Sequence, residues 1–200
     1  MKKVLFISSR RIYPTVDGGR IRTAQQLEFL VKRCIVDVIY ITDVSSQDEV
    51  KNYLPQVNKV KEVVMPKWKS CLQTLRAAFN SLPLQVNYYY SDSLRDYISS
   101  HAGEYDIVFC NNIRTAEYVR TISGPVKCID FVDAISMNYE NAASRTKGFK
   151  RFVYKIDFKR CRRYEQILLD SFDRCAIISD VDKNYILKCP IEFKIGRAHV

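Results

Sequence analysis

The sequence predicts an α/β fold in which a doubly wound parallel sheet carries helices on both faces. Short apolar runs rich in β-branched residues, bounded by charged or small polar residues, are typical of parallel strands buried on both faces. Amphipathic helical patterns separate these runs, and an alternation of strand and helix builds right-handed βαβ units. The chain contains no internal repeat, low-complexity stretch or linker that would divide it.

The first predicted unit is a strand, a glycine loop and a helix. Residues 2–9 form the apolar run, and residues 10–20 contain a proline and the adjacent Gly18 and Gly19, which interrupt any regular period. Residues 21–33 then place apolar side chains at helical spacing. A helix that starts beside such a loop presents unpaired N–H groups to an anion such as a phosphate. A sharp turn alone would explain the two glycines equally well.

The alternation continues to the end of the chain. Strands are predicted over residues 34–43, 61–65, 105–112, 127–131 and 174–179, and helices over 45–53, 68–80, 93–100, 115–122 and 181–188. Residues 136–172 lack proline and predict one bent helix or two consecutive helices. We expect residues 88–90 to be extended, and the apolar side of 68–80 to face the core in preference to a membrane. Ser46 is the predicted N-cap of its helix, with Glu49 three residues later.

Length and composition indicate one globular domain. Two hundred residues suffice for an α/β domain with its own core, and we assign residues 1–194 to it. An apolar content of 47% and a charged content of 27% exclude a disordered chain. No apolar run approaches the roughly 20 residues of a membrane-spanning helix, and arginines follow the first run too early for a secretory signal. These features predict a cytoplasmic protein.

Cysteine spacing and net charge bear on the partners. The seven cysteines are scattered without a Cys-x-x-Cys pair, and the chain has only two histidines. A metal cluster or a disulfide framework needs closer spacing or an oxidising compartment, so we expect reduced core thiols and no metal. The formal net charge of +10 favours an anionic partner, which is a phospholipid surface, a nucleotide or a nucleic acid.

Three segments stand out: residues 14–19 after the first predicted strand, residues 130–136 at the end of a late strand, and residues 177–182 after the long helical stretch. In their order and spacing they resemble the N-terminal domain of GT-B glycosyltransferases of the retaining family 4, especially the bacterial exopolysaccharide branch. The resemblance covers nearly the whole chain and implies a Rossmann-like domain. It also implies transfer of a sugar from a nucleotide-sugar to a saccharide or lipid-linked acceptor in cell-surface polysaccharide synthesis. The nucleotide-sugar is a substrate in that reaction, so no cofactor is expected.

The resemblance assigns the glycine loop to the donor. Gly18 and Gly19 match the family's loop, whose backbone approaches the diphosphate of a nucleotide-sugar held mainly by a second domain. Arg20 and Arg22 would add cationic support there. The assignment is consistent with the local electrostatics, because the backbone N–H groups at the start of a helix favour negative charge. Arginines on a solvent-facing helix are, however, often only solubilising.

The resemblance also implies catalytic and acceptor-side residues. Asp130 and Asp133 match the acidic motif at a strand end, where open parallel sheets bind ligands, and they are the candidate catalytic residues. Either carboxylate could accept a hydrogen bond from an acceptor hydroxyl or assist its deprotonation. Asn111, Asn112 and Ser136 are the candidate acceptor-side residues. An equally good interpretation of Asp133 is that it only caps the following helix.

Two further features complete the comparison with the family. Glu165 matches an acidic position on the family's long helix, although a glutamate among arginines is usually an ion-pair partner. The family's donor-binding domain lies C-terminal to this one, and the chain ends before it.

Residues 195–200 look like the translation of a sequencing adapter, so we expect a non-native tail and a truncated protein. The fragment alone is therefore predicted to be inactive.

A basic amphipathic segment suggests contact with an anionic membrane. Lys147, Arg151, Lys155 and Lys159 recur about four residues apart beside an apolar stripe, and Trp68 adds an interfacial side chain. This would place the protein peripherally on the inner face of the plasma membrane. The simpler interpretation is a solvated basic face on a helix that packs on the core.

A rival function rests on the same charge. A non-catalytic, basic Rossmann-like domain could bind nucleic acid or a partner protein, but the sequence lacks the aromatic, helix-turn-helix and glycine-rich signatures of nucleic-acid binding. We therefore expect no nucleic acid partner. A dinucleotide-dependent enzyme is disfavoured because no Gly-x-Gly-x-x-Gly follows the first strand.

Overall fold

The structure is a computed structural model that describes residues 1–45 and 49–188. The strands are β1 (Lys3–Ser8), β2 (Ile35–Thr42), β3 (Lys59–Val64), β4 (Ile107–Asn111), β5 (Val126–Asp130) and β6 (Arg174–Ala176). The helices are α1 (Gly18–Val31), α2 (Glu49–Tyr53), α3 (Lys67–Thr74), α4 (Leu84–Tyr88), α5 (Asp92–His101), α6 (Ile135–Arg145), α7 (Gly148–Ser171) and α8 (Asp180–Leu187). Short 3-10 helices span Leu75–Ala78, Ala102–Glu104 and Ile113–Tyr118.

The strands form one sheet in the order β3-β2-β1-β4-β5-β6, and every neighbouring pair is parallel. The chain builds the sheet outward from β1 in one direction, then crosses to β4 and builds it in the other. This confirms the predicted Rossmann-like, doubly wound fold. The order reverses between β1 and β4, and ligands of such sheets bind outside the carboxyl ends of the strands at this switch point.

Side chains alternate between the two faces of the sheet and build two cores. Val4 and Phe6 of β1 pack in one core, which includes Leu27 of α1. Leu5 and Ile7 pack in the other, which includes side chains of α5 and α7. Because consecutive residues of a strand point to opposite faces, a strand covered on both sides reads as a continuous apolar run.

Several predicted boundaries differ from the structure for local reasons. Helix α1 begins at Gly18 instead of residue 21, because Asp17 is its N-cap and accepts a hydrogen bond from the Arg20 backbone N–H. Residues 113–118 form a 3-10 helix in place of the predicted α-helix. Tyr88 ends α4 and is not extended.

The long helical stretch after β5 is two helices, which was one of the two predicted alternatives. Helix α6 ends at Arg145, and α7 begins at Gly148, whose φ of 63° is a left-handed conformation that glycine adopts without strain. The two helices pack side by side as a hairpin, with the rings of Tyr139 and Tyr154 5.8 Å apart.

The prediction that the apolar side of residues 68–80 faces the core is wrong. Trp68, Leu72, Leu75 and Phe79 are all exposed. Helix α3 packs mainly against α4 and not against the sheet, so its apolar stripe has no sheet surface to cover.

Two predictions concern residues that the structure does not describe. Ser46, the predicted N-cap, and the predicted non-native tail at 195–200 lie outside the described residues. None of the helices in the described part of the chain is both long and apolar enough to cross a membrane.

Candidate functional site at the carboxyl edge of the sheet

The central strands bring three polar residues into register at the carboxyl edge. Ser8 of β1 pairs with Asn111 of β4, and Asn111 pairs with Asp130 of β5. The loops that follow these strands therefore meet beside the switch point. This is where the sequence predicted the site, and most of the predicted residues lie at this edge.

Asp130 is the most enclosed of them, with an exposed fraction of 0%. Its carboxylate accepts two hydrogen bonds from Arg22, from Nε at 2.7 Å and from Nη2 at 3.0 Å. Gln26 Nε2 donates a further hydrogen bond to Oδ2, and the Val132 backbone N–H donates to Oδ1 at 3.2 Å. Both oxygens are therefore occupied, and Asp130 ties α1 to the loop after β5.

This geometry corrects two predicted roles. Asp130 does not offer a free oxygen to an acceptor hydroxyl, so we withdraw it as a catalytic candidate. Arg22 forms the bidentate pair with Asp130 and is not an uncommitted cation for a diphosphate. The pairing joins residues 108 positions apart in the sequence, which local pattern does not reveal.

The N-terminus of α1 already binds a carboxylate of the chain itself. Asp17 Oδ1 accepts from the Arg20 backbone N–H at 3.0 Å, and this hydrogen bond is the main reason why the pKa of the Asp17 carboxyl is lowered. The Arg10 guanidinium contacts the same carboxylate at 3.0 Å, and Arg20 Nε lies 3.4 Å from its other oxygen. The predicted open phosphate site at Gly18, Gly19 and Arg20 is therefore occupied by the chain's own Asp17.

The two glycines have different reasons to be glycine. A Cβ added to Gly19 would lie 2.1 Å from Arg10 Nη2, whereas a Cβ added to Gly18 would meet nothing within 4 Å. Gly19 thus leaves room for the guanidinium that pairs with Asp17.

Alanine at these two positions should therefore affect stability differently. We expect Gly18→Ala to raise the free energy of unfolding by about 0.5–1 kcal/mol, since alanine favours the helix. Gly19→Ala should give less than half of that gain, because Arg10 must leave Asp17. Urea denaturation of both variants measures the difference, and equal gains would contradict this role for Gly19.

The three predicted acceptor-side residues are largely engaged within the fold. Asn111 accepts from Thr23 Oγ1 and donates to Gln26 Oε1, each at 3.3 Å. Ser136 is fully buried, and its backbone N–H donates to Glu165 at 3.0 Å. Asn112 has a φ of 73°, and its Oδ1 accepts from the Arg114 backbone N–H. Of the three, only the Asn112 side-chain NH₂ has no partner within the described ranges.

Glu165 is not the surface ion-pair partner that arginine-rich surroundings suggested. It is fully buried, and both of its oxygens accept hydrogen bonds from Ser136. Burial raises its pKa to about 7, although the hydrogen bonds from Ser136 act in the opposite direction. Glu165 therefore links α7 to the start of α6 behind the edge.

Asp133 is the predicted carboxylate that keeps access to the edge. It is partly exposed, and the Asn138 side chain donates to its Oδ2 at 2.7 Å. The N-cap residue of α6 is Ala134, so the interpretation of Asp133 as that cap is wrong. Burial is the main cause that raises the pKa of Asp133, and the nearby Asp182 acts in the same direction.

The backbone next to Asp133 is strained. Val132 has a φ of 67°, a left-handed conformation that β-branched residues rarely adopt. Strain of this kind costs about 1–3 kcal/mol and concentrates at functional sites. Here the strained residue directly precedes Asp133 and donates its N–H to Asp130.

Two further side chains accompany Asp133. Asp182, in the first turn of α8, accepts from the Ala134 backbone N–H at 3.0 Å. The Arg114 guanidinium lowers the pKa of Asp133, and its Nε donates to Gln85 at 2.8 Å. Asp182 belongs to the predicted segment 177–182, but nothing in the local pattern indicated Arg114.

The predicted membrane-contact residues lie at the surface. Trp68, Lys147, Arg151, Lys155 and Lys159 are all exposed. In the part of the chain that the structure describes, these four basic residues form no ion pair.

Among the described residues, no group of His, Cys, Asp and Glu side chains could hold a metal ion.

No protein-family model matches the chain, and no curated protein matches it significantly.

Proposed function

We propose that this chain is the acceptor-side domain of a nucleotide-sugar-dependent, retaining glycosyltransferase of cell-surface polysaccharide synthesis. The observation that carries the proposal is Asp133, a partly exposed carboxylate with a raised pKa at the carboxyl edge of a doubly wound sheet. A carboxylate of raised pKa is a better proton acceptor, which suits the deprotonation of a sugar hydroxyl. Open sheets of this kind bind ligands at this edge.

The neighbours of Asp133 suit an acceptor sugar. Asn138 holds one oxygen of the carboxylate, and Arg114 and the amide of Asn112 supply hydrogen-bond donors along the same edge. The acceptor hydroxyl would form its new bond to the anomeric carbon of the donor on the face from which the nucleotide diphosphate leaves, so the configuration is retained, and its proton would pass to Asp133. The diphosphate would be held mainly by a second domain, since Asp17 occupies the start of α1.

The test compares variants of Asp133. Release of nucleoside diphosphate from a panel of nucleotide-sugars is measured with the 200-residue chain and with the protein expressed from the whole source gene. In the latter we expect turnover, and about 100-fold lower kcat for Asp133→Asn, the loss typical of a general base. Asp170→Asn, which removes the same charge from an exposed position on α7, is the matched control.

Two outcomes would contradict the proposal. Full turnover of Asp133→Asn would remove that carboxylate from the reaction. Saturable, salt-sensitive binding to RNA or DNA in a gel-shift titration, with no response to any nucleotide-sugar, would favour the non-catalytic basic domain instead.

A further inference from the structure

Two neighbouring segments of the surface are both apolar and basic. On α3, Trp68 is 67% exposed, and Phe79, which directly follows the 3-10 helix after α3, is 92% exposed. On the first half of α7, Phe149 is 79% exposed and Phe152 is 59% exposed. Exposed aromatic residues in this number are unusual on a surface that meets only water.

The two segments are held side by side. Arg160 of α7 donates from Nη2 to the Ala77 backbone oxygen at 2.8 Å. Helix α4, which packs against α3, adds a second link, because the Leu84 backbone N–H donates to Asp157 Oδ1 at 2.8 Å. Ile156, which continues the stripe of Phe149 and Phe152, lies one helical turn before Arg160. We call the exposed apolar residues of both segments, with the basic residues beside them, the apolar-basic surface.

Charge identifies the occupant of the apolar-basic surface. Residues 141–156 contain five basic residues and no acidic one, and no acidic residue lies between Glu62 and Asp92. Lys150, Arg151 and Lys155 are exposed and form no ion pair within residues 1–45 and 49–188. On the first segment Lys67 and Arg76 pair with Asp43 and Asp92, so the unpaired positive charge lies mainly on α7. Exposed aromatic side chains beside these cations of α7 fit the boundary between headgroups and acyl chains of an anionic bilayer.

The apolar-basic surface extends beyond the carboxyl edge of the sheet, which is the edge that carries the candidate site. Ser136, near the start of α6, contacts Glu165, so the carboxyl edge lies level with the second half of α7. Helix α7 has 24 residues and is therefore about 36 Å long, and its first half extends past that edge together with α6.

We propose that the apolar-basic surface docks on an anionic phospholipid membrane, with Trp68, Phe79, Phe149 and Phe152 inserted at the interface. Docking in this orientation would bring the Asp133 edge to the bilayer, where a lipid-linked acceptor would lie. The proposal deepens the proposed function by placing its acceptor. Its test involves no sugar transfer, so either proposal can fail without the other.

The chain contains an intrinsic reporter, because Trp68 is its only tryptophan. With the 200-residue chain and vesicles of phosphatidylglycerol and phosphatidylcholine, we expect a blue shift of Trp68 emission and quenching by brominated lipids. Vesicles of phosphatidylcholine alone should cause neither change, and salt should weaken the binding. The triple change Lys150→Gln, Arg151→Gln and Lys155→Gln should lower partitioning by about 100-fold.

Matched variants separate the contribution of positive charge to vesicle binding from the contribution of the inserted aromatic side chains. Lys2→Gln, Lys32→Gln and Lys59→Gln together remove three exposed charges at the opposite edge of the sheet and should change partitioning by less than about threefold. Phe149→Ser with Phe152→Ser should lower it by roughly tenfold or more at an unchanged melting temperature, because both side chains are exposed.

Four results would overturn the membrane proposal. The first is equal binding to neutral and anionic vesicles, and the second is emission of Trp68 that no vesicle alters. The third is a solution dimer that Phe149→Ser with Phe152→Ser dissociates, which would make a second copy the occupant. The fourth is shielding of Trp68 from iodide, without vesicles, in the protein expressed from the whole source gene, which would assign the surface to a segment of that protein.

Discussion

Replacing Asp130 by alanine is expected to lower the free energy of unfolding by about 3 kcal/mol. Asp130 is fully buried, and its loss would leave Arg22, Gln26 and the Val132 N–H without their acceptor. Removing one partner of a buried ion pair typically costs about 3–5 kcal/mol. We expect the lower end of that range because the Arg22 side chain is 29% exposed and can be hydrated in the variant.

A double-mutant cycle tests whether the pair is responsible. Arg22→Ala, Asp130→Ala and the double variant are compared with the unsubstituted 200-residue chain by urea denaturation. We expect a coupling free energy of about 2 kcal/mol, in the range of directly contacting groups. Additive effects of the two substitutions would show that Asp130 acts through other contacts.

Replacing Glu165 by glutamine should remove a dependence of stability on pH. Burial raises the pKa of Glu165 from 4.5 to about 7 in the folded chain, so the folded state binds the proton more tightly than the unfolded state. The stabilisation is fully present below pH 4.5 and is lost as the pH rises through 7. The linked loss is about 3 kcal/mol across that interval.

Glutamine imitates the protonated carboxyl at every pH. The Glu165→Gln variant should therefore match the unsubstituted 200-residue chain near pH 4 and exceed its free energy of unfolding by up to about 3 kcal/mol near pH 8. Glu104→Gln is the control, because Glu104 is exposed and pairs with Lys3 at the surface. An unchanged pH slope in Glu165→Gln would show that another group carries the dependence.

The site could be predicted only to the level of the edge on which it lies. Loops after β1 and β5 were recognised from composition and order, because the class of sheet follows from local patterns. The difference between Asp130 and Asp133 was not recognisable, since the two lie three residues apart in the same acidic motif. One meets Arg22 of α1, and the other meets Asn138 of the next helix.

The helix surfaces show the same limit. The spacing of Trp68, Leu72, Leu75 and Phe79 correctly indicated one apolar side, but it did not say what that side faces. Periodicity records which residues share a face and contains no information about the element opposite it. In this fold α3 packs against α4, and the apolar stripe of Trp68, Leu72, Leu75 and Phe79 remains exposed.

By itself the sequence determined the alternation of buried strands and helices, the parallel sheet that follows from it, and the excess of positive charge. These properties depend on neighbours along the chain or on composition alone. Only the tertiary structure decided that Asp17 caps α1, that Arg22 and Asp130 pair, and that Asp133 keeps access to the edge. Those outcomes depend on contacts between distant residues, and the energy of a polar group is set by the partner it meets in the fold.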